Sequence, residues 1–511
     1  MQRLELTWIG KGEDPAIEPR ILLHDPSKDY GDPDSENMLI HGDNLLALKA
    51  LEQDYAGQVK CIYIDPPYNT GSAFEHYDDN LEHSIWLSLM RTRLMILKNL
   101  MREDGFIFVQ IDDNEQAYLK VLLDEVFGRP CYVNQIVWKR RGGSANPSNK
   151  LNNVTDYILW YAKTPNTPIY PVFSKDDDNT KKYIEERFRF KDENGRRFMK
   201  SPIQSPNPRP NLIYEYKGYR VPTKGWSISK EVMERWDAEG RLAFPDSKEK
   251  TINRKIYLDE YQGQPISSLW TDVYVINPMS GERRDFDGQK PEALIERVFQ
   301  LSTKPGDLVM DSFLGSGTTA AVAHKMGRRY IGIELGNHCY THCLPRLQKV
   351  VDGEQGGISN AVNWKGGGGF KFYELAPTLI EKDKHGNPVF SDKYNSEMLV
   401  AAVAKINGFH YAPDRELFWK QGFSQDSSYI YVTTQYLTAA MLDGIASELS
   451  PMENLLICAP AFDIGLGKRY DNINVRKIPQ SVLSKCEFGA DNYNLNIVDV
   501  PELDEEEWED D

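Results

Sequence analysis

Four consecutive residues, Asp65-Pro66-Pro67-Tyr68, put an acid, two prolines and an aromatic ring directly after the apolar run Val59-Lys60-Cys61-Ile62-Tyr63-Ile64. The prolines fix φ, remove backbone donors and leave carbonyls unpaired. A planar amine could be held there by two acceptors, the Asp65 carboxylate and the Pro66 carbonyl, with the Tyr68 ring covering its face. The exocyclic amino group of a base swung out of its stack is a group of that kind, because chemistry on a base requires it outside the helix. A strand-to-turn exit with a capping acid uses the same residue types, so the run needs a second motif beside it.

That motif is Asp311-Ser312-Phe313-Leu314-Gly315-Ser316-Gly317-Thr318-Thr319, with a strand expected before it and a helix after it. Its glycines let the backbone turn sharply and approach a ligand closely. Glu334 ends the next strand, where a carboxylate can accept hydrogen bonds from ribose hydroxyls. Gly315 to Ala320 satisfies a loose G-x-G-x-x-A, so NAD and FAD compete with S-adenosylmethionine as the ligand. Asp311 favours the latter, since an acid suits an ammonium and is unwelcome beside a pyrophosphate. No Gly-Lys-Ser/Thr follows, which excludes a P-loop.

The elements that must carry these motifs alternate. Met38–Asp43 reads as a short strand ending in an acid, residues 44–51 as an amphipathic helix, and Val59–Ile64 as a strand. Residues 84–101 have a helical stripe; 105–111 is a buried strand, 115–127 a helix, and 133–138 with 156–161 a late hairpin. From Pro291 come a helix (292–301, with Pro at its first position), a strand (307–311), a helix (318–326) and a strand (329–334). This alternation predicts an α/β fold, a doubly wound, Rossmann-like parallel sheet. Between them, residues 165–270 lose periodicity, and Ser201 to Pro210, with four prolines, reads as irregular. The expected organisation is an N-terminal arm (1–38), a core in two halves (39–164 and 271–350), an irregular insert (165–270) and a smaller C-terminal α/β domain (351–511).

The 511 residues carry a net charge of −16, against nonspecific coating of nucleic acid by the whole surface. The charge is uneven: between Lys139 and Ser302 there are 29 Lys and Arg against 23 Asp and Glu, while residues 504–511 form an acidic tail. Lys139-Arg140-Arg141 is a candidate phosphate contact. In the insert Arg196, Arg197, Arg209, Lys217, Arg220 and Lys224, interleaved with tyrosines, are candidates to reach base edges. No apolar run is long enough for a membrane span, and the first twelve residues lack a signal-peptide core. The six cysteines show no disulfide framework, which fits a reducing cytoplasm. His338, Cys339, His342 and Cys343 offer metal-binding side chains, but on adjacent helical turns they cannot easily surround one tetrahedral ion, so no metal is expected.

Together the two motifs resemble amino-group DNA methyltransferases. Their order, catalytic motif first and glycine loop last, resembles the β class, and more closely the modification (Mod) subunits of type III restriction–modification systems. Asp104 to Val109, Ile111 to Glu115, Gln289 to Ile295 and Gly366 to Phe372 add to the likeness; Asp287-Gly288-Gln289 departs from the His-Pro-Thr of many members. The resemblance implies transfer of a methyl group from S-adenosylmethionine to a flipped adenine N6 in double-stranded DNA, at a specific site. Cytosine N4 and a non-catalytic recognition subunit are the alternatives. It implies Asp65, Pro66, Pro67 and Tyr68 as catalytic residues. Asp311, Phe313, Gly315, Ser316, Gly317, Thr318 and Glu334 are implied around the cofactor, Lys290 and Pro291 at its methionine end, and Asp43 as a further contact. It implies target recognition by the insert, and a homodimer or a restriction (nuclease/helicase) subunit as partner of residues 376–511.

Overall fold

The computed structural model describes residues 5–13, 16–68, 79–140, 151–277, 279–286, 288–424, 427–483, 485–486 and 488. Asn69-Thr70-Gly71, Arg141, Asp287 and the acidic tail lie outside them. The chain divides into two compact units, one made of Met1–Tyr170 with Val273–Asp511 and the other of Pro171–Asp272.

The first unit is built on a mixed sheet. Its principal strands are β1 (Leu22–His24), β2 (Met38–His41), β3 (Val59–Ile64), β4 (Met101–Ile111), β5 (Tyr132–Lys139), β6 (Thr155–Ala162), β7 (Leu308–Asp311), β8 (Arg329–Glu334) and β9 (Gly369–Leu375). They lie in the order β1-β9-β2-β8-β7-β3-β4-β6-β5. From β9 to β4 all neighbours are parallel. At both ends the sheet is antiparallel, at one of them through the expected late hairpin. The β5–β6 hairpin pairs with β4, and β1, from the expected N-terminal arm, pairs with β9.

Central strands such as β3, all six of whose residues are buried, are apolar on both faces because helices cover both. These helices are α1 (Asn44–Tyr55), α2 (Asp79–Leu100), α3 (Gln116–Phe127), α4 (Glu292–Ser302), α5 (Thr318–Lys325) and α6 (Leu344–Val351). Leu48, Leu51, Met90, Leu94, Leu97 and Leu122 of α1 to α3 meet Ile62, Ile64, Ile107 and Val109 of the sheet in one cluster. Each fully buried side chain of this size contributes roughly 1.5–3 kcal/mol. Helix α2 runs straight into β4 at Met101. Pro291 is the N-cap of α4 and not its first residue, since its ψ of 140° is still extended. The C-terminal part of this unit adds a five-stranded sheet, of which Ser428–Val432, Asn454–Ala459 and Ile473–Lys477 run parallel.

The Pro171–Asp272 unit is regular where the sequence reads as irregular. Helices Asp178–Arg187 and Lys230–Ala238 accompany a four-stranded sheet whose longest strands are Arg197–Pro202 and Asn253–Tyr257. Ser201 and Pro202 close one of them; strands of two to six residues are too short to leave a periodic signature. Among the described residues no helix is long and apolar enough to cross a membrane.

Candidate active site

Strands β2, β3, β7 and β8 run the same way, so their carboxyl ends share one edge of the sheet. From β3 the chain proceeds to β4 on one side; from β7 it proceeds to β8 on the other. The order reverses between β3 and β7, and in open α/β sheets ligands bind at such a reversal. The β3–β7 register, Cys61 to Val309 and Ile62 to Met310, brings Asp65 and Asp311 to the rim of one cavity of about 410 Å³. Lys290, 225 residues beyond Asp65, reaches the same cavity.

On the β3 side both oxygens of Asp65 are engaged. Tyr68 Oη donates to Oδ1 at 2.7 Å, and Lys290 Nζ donates to Oδ2. The same ammonium lies 5.5 Å from the centroid of the Tyr68 ring. Trp86 Nε1 donates to the Pro67 carbonyl at 2.8 Å and fixes the turn. Beneath these groups lies a polar chain: Tyr63 Oη donates to Gln110 Oε1, Gln110 Nε2 to Asp156 Oδ2 at 2.9 Å, and that oxygen is 3.4 Å from Tyr68 Oη. Arg140 Nε is 3.0 Å from Asp156 Oδ1, an ion pair without a directed hydrogen bond. Burial pushes the Tyr68 hydroxyl well above its ordinary range, and Asp65 and Asp156 add to the effect. Burial also raises Asp156, against the pull of Arg140 and Lys290.

On the β7 side the chain turns through Gly315 and Gly317, at φ 56° and 81°, into α5. Only glycine takes these values without strain, and a Cβ on Gly317 would also stand 3.4 Å from the Cys343 backbone. Gly315 N–H donates to Glu334 Oε2 at 2.7 Å, and His338 Nε2 lies 2.8 Å from Glu334 Oε1. Below the loop, Arg346 donates to Thr318 Oγ1 at 2.8 Å and to Glu292 Oε1 at 2.9 Å; Lys325 binds the other oxygen of Glu292 at 2.9 Å. All three charged side chains are essentially inaccessible. Burial alone would raise the Glu292 carboxyl, but Arg346 and Lys325 outweigh it and hold it below its usual range. Thr318 Oγ1 donates to the Lys290 carbonyl at 3.1 Å, which ties the loop to Lys290-Pro291.

Asp311 accepts from the Phe313 N–H at 2.9 Å and from Thr319 Oγ1 at 2.6 Å. Burial pushes its carboxyl up to about 7 despite these bonds, with Asp65 and Glu334 adding to the rise. Ser312 Oγ, also buried on the cavity wall, has no hydrogen-bond partner among the described residues. A buried acid and an unsatisfied hydroxyl on the wall fit a compact ligand bearing an ammonium group.

Asp65, Pro66, Pro67, Tyr68, Lys290, Asp311, Phe313, Gly315, Ser316, Thr318 and Glu334 all line the cavity. Gly317 and Pro291 are not among the residues that line it. Asp43 does not line it: its carboxylate caps α1 by accepting from the Leu46 N–H at 3.1 Å, and lies 3.7 Å from the buried Arg93. The neighbouring Asn44 lines the wall instead and donates to the Ser312 carbonyl at 2.8 Å. Lys139 is exposed at the end of β5, whereas Arg140 turns onto Asp156. Of the His/Cys group, Cys343 is buried and donates to the Gly315 carbonyl at 3.0 Å, while His342 packs against Phe286. Gln110 and Asp156 escape sequence reasoning. The available signal was a polar residue inside each of two strands, β4 and β6, that are otherwise apolar where they are buried.

A family model described as DNA methylase matches residues 59–343. The "Probable type III restriction-modification enzyme HindVI Mod subunit" of Haemophilus influenzae is 37% identical over 410 residues, 67% of this chain and 54% of that protein. The StyLTI Mod subunit of Salmonella typhimurium, of the same type, is 31% identical over 362 residues, 62% of this chain and 55% of its own. The chain thus spans about half the length of these two relatives. Among solved structures, the M1.HpyAVI–SAM complex is 17% identical, with a TM-score of 0.32 over 61% of this chain and 98% of that one.

Proposed function

This chain belongs to the DNA methylase family, and we propose from that premise that it is a site-specific DNA methyltransferase acting on adenine N6 in double-stranded DNA with S-adenosylmethionine. One observation carries the reading: the Asp65-Pro66-Pro67-Tyr68 turn and the glycine loop after Asp311 open into a single cavity at the reversal point of the sheet.

The cofactor, when bound, supplies a methyl group made electrophilic by its sulfonium. Asp311 would hold its ammonium, Glu334 its ribose, and the backbone of Gly315 and Ser316 its flat parts. Lys290 would meet its carboxylate. The target amine would enter between Asp65 and the Pro66 carbonyl, which accepts no hydrogen bond among the described residues, with Tyr68 stacked on the base. Two acceptors draw the amine nitrogen towards tetrahedral geometry and expose its lone pair for attack on the methyl carbon. As the nitrogen–carbon bond formed, with the methyl carbon–sulfur bond breaking and its electron pair returning to sulfur, the Asp65 carboxylate would stabilise the positive charge growing on that nitrogen until its extra proton passed to solvent. Positioning and electrostatics suffice without a covalent enzyme intermediate. An acid at position 65 favours adenine over cytosine N4. The Pro171–Asp272 unit is assigned to target recognition, and the likeness to Mod subunits supports a restriction subunit as partner.

Incubation with labelled S-adenosylmethionine and unmethylated genomic DNA, followed by nucleoside analysis, tests the reading. Label in N6-methyladenine that vanishes in Asp65→Ala is the expected outcome. Label only in N4-methylcytosine would refute the base assignment. Cofactor binding without transfer to any DNA would favour a recognition subunit.

A further inference from the structure

Of the six cations that the sequence offers for DNA contact in the Pro171–Asp272 unit, two are paired with acids within it. Arg196 is bound by Asp259 and Glu260, and Lys217 by Asp237. Other cations stand out instead. In the four-stranded sheet Phe198 lies opposite Tyr257 and Phe190, and Lys200 lies directly opposite Lys255. Side chains alternate along a strand, so these five share one face. The other face carries Met199, Leu242 and Arg254. It is covered by helix Lys230–Ala238, whose Met233 joins the Leu242 cluster and whose Trp236 stacks under Arg254 at 4.3 Å.

Cations cover the first face. Lys200 Nζ lies 4.3 Å from the Phe190 centroid, Lys255 Nζ 5.4 Å from Phe198, and the Arg189 guanidinium 5.6 Å from Phe190. The rings beneath form a row, with centroids 5.7 and 5.9 Å apart. Among the described residues none of these three cations has a carboxylate within ion-pair distance. Like charges directly opposite across a strand pair are destabilising, and the rings hold the cations in place without neutralising them. Solvated lysines shielding a small aromatic cluster would give the same contacts. They would not require the lysines to stand opposite each other with no acid between, in a chain of net charge −16.

We propose that this face, through Lys200, Lys255 and Arg189, is a docking surface for the phosphate backbone of duplex DNA. The assignment rests on the methyltransferase reading for its choice of polyanion. The face positions the duplex and carries no sequence information, as phosphate contacts do in general.

The test is fluorescence anisotropy of a labelled unmethylated duplex of about 30 base pairs, titrated with the full chain at several salt concentrations. Each phosphate contact contributes about 0.9 to the slope of log K against log salt. The double variant K200Q/K255Q should therefore lower that slope by about 2 and weaken binding roughly fiftyfold at about 0.1 M salt. S-adenosylmethionine affinity should stay at its wild-type value, and the thermal midpoint should not fall, since the like-charge repulsion is relieved. Adding R189Q should lower the slope further. The matched pair K181Q/K182Q, on the helix Asp178–Arg187, should leave the slope unchanged. An unaltered slope in K200Q/K255Q, or an equal fall in both pairs, would overturn the surface while leaving methyl transfer by the wild-type chain standing. A wild-type chain that neither binds duplex nor methylates it would overturn both readings. Lysine-dependent binding of poly-glutamate without binding of duplex would reassign the face to an acidic protein and overturn the DNA assignment.

Discussion

Replacing Asp311 by Asn should make the ligand-free protein more stable and the cofactor complex weaker. Asn keeps the shape, and both existing hydrogen bonds survive. Its carbonyl can accept from the Phe313 N–H, and its amide can donate to Thr319 Oγ1, where the carboxylate now accepts. What changes is the charge. The carboxyl titrates at about 7 in the folded chain, against an ordinary 3.8, chiefly because it is buried. The folded state thus binds the proton more tightly than the unfolded state, and stability falls as pH rises from about 4 to about 7. Linkage puts the cost of ionising this buried group at about 2 kcal/mol near pH 5.5 and about 4 kcal/mol near pH 8. Asp311→Asn escapes that cost. In urea or thermal unfolding its advantage over wild type should roughly double between those two pH values. Affinity for S-adenosylmethionine should move the other way. Removing one partner of a buried charge pair costs about 3–5 kcal/mol, so the dissociation constant should rise by at least a hundredfold. In wild type it should tighten as pH rises towards about 7, where the acid ionises. An Asn variant no more stable than wild type near pH 8, or one that binds cofactor equally well, would refute the reasoning.

Asp65→Ala should abolish methyl transfer while equilibrium dialysis still detects cofactor binding, because its proposed partner is the base. Arg346→Met strands Glu292 with a single cation. It should destabilise the chain by about 3–5 kcal/mol and, in calorimetry, weaken cofactor binding through the loosened loop. Gly317→Ala forces a left-handed residue against Cys343; a loss of about 1–2 kcal/mol is expected, read in the denaturation midpoint. Asp43→Ala removes an N-cap and the carboxylate beside the buried Arg93, so it should cost more than the roughly 1 kcal/mol of a lost cap, yet leave cofactor affinity within about twofold, since Asp43 lies off the cavity.

Both halves of the site were legible in the sequence because each is a contiguous turn whose residues need no partner to be recognised. Pro66 and Pro67 dictate the backbone of one, and Gly315 and Gly317 that of the other. The strand ends could be read from continuous apolar runs. What could not be read is everything set by register. Asp156 enters the site only because β6 pairs antiparallel to β4, with Gln110 opposite Ile158, and Arg346 only because α6 packs beneath the loop. Asp43 could not be resolved for the same reason: a strand-end acid can cap the following helix, as it does here, or face a ligand, and the local sequence is identical for both. The Pro171–Asp272 unit was hidden by its short strands, whose pairing Phe198–Tyr257 spans residues that no periodicity connects.

Under the proposed mechanism, the ion pair between Lys290 and Asp65 means that the principal acceptor starts out satisfied. An incoming amine does not fill a vacancy; it competes with an internal cation tethered a few ångströms away, whose effective concentration is high and fixed by the fold. The same ammonium rests near the Tyr68 ring, so the competition covers the stacking face as well as the hydrogen bond. Any anion delivered to the cavity near Lys290 draws the tethered competitor away and raises the apparent affinity for the amine. By linkage, the amine raises the affinity for the anion by the same factor. On that reading, two substrates that never touch the same atom of the protein would be made to bind cooperatively by one lysine.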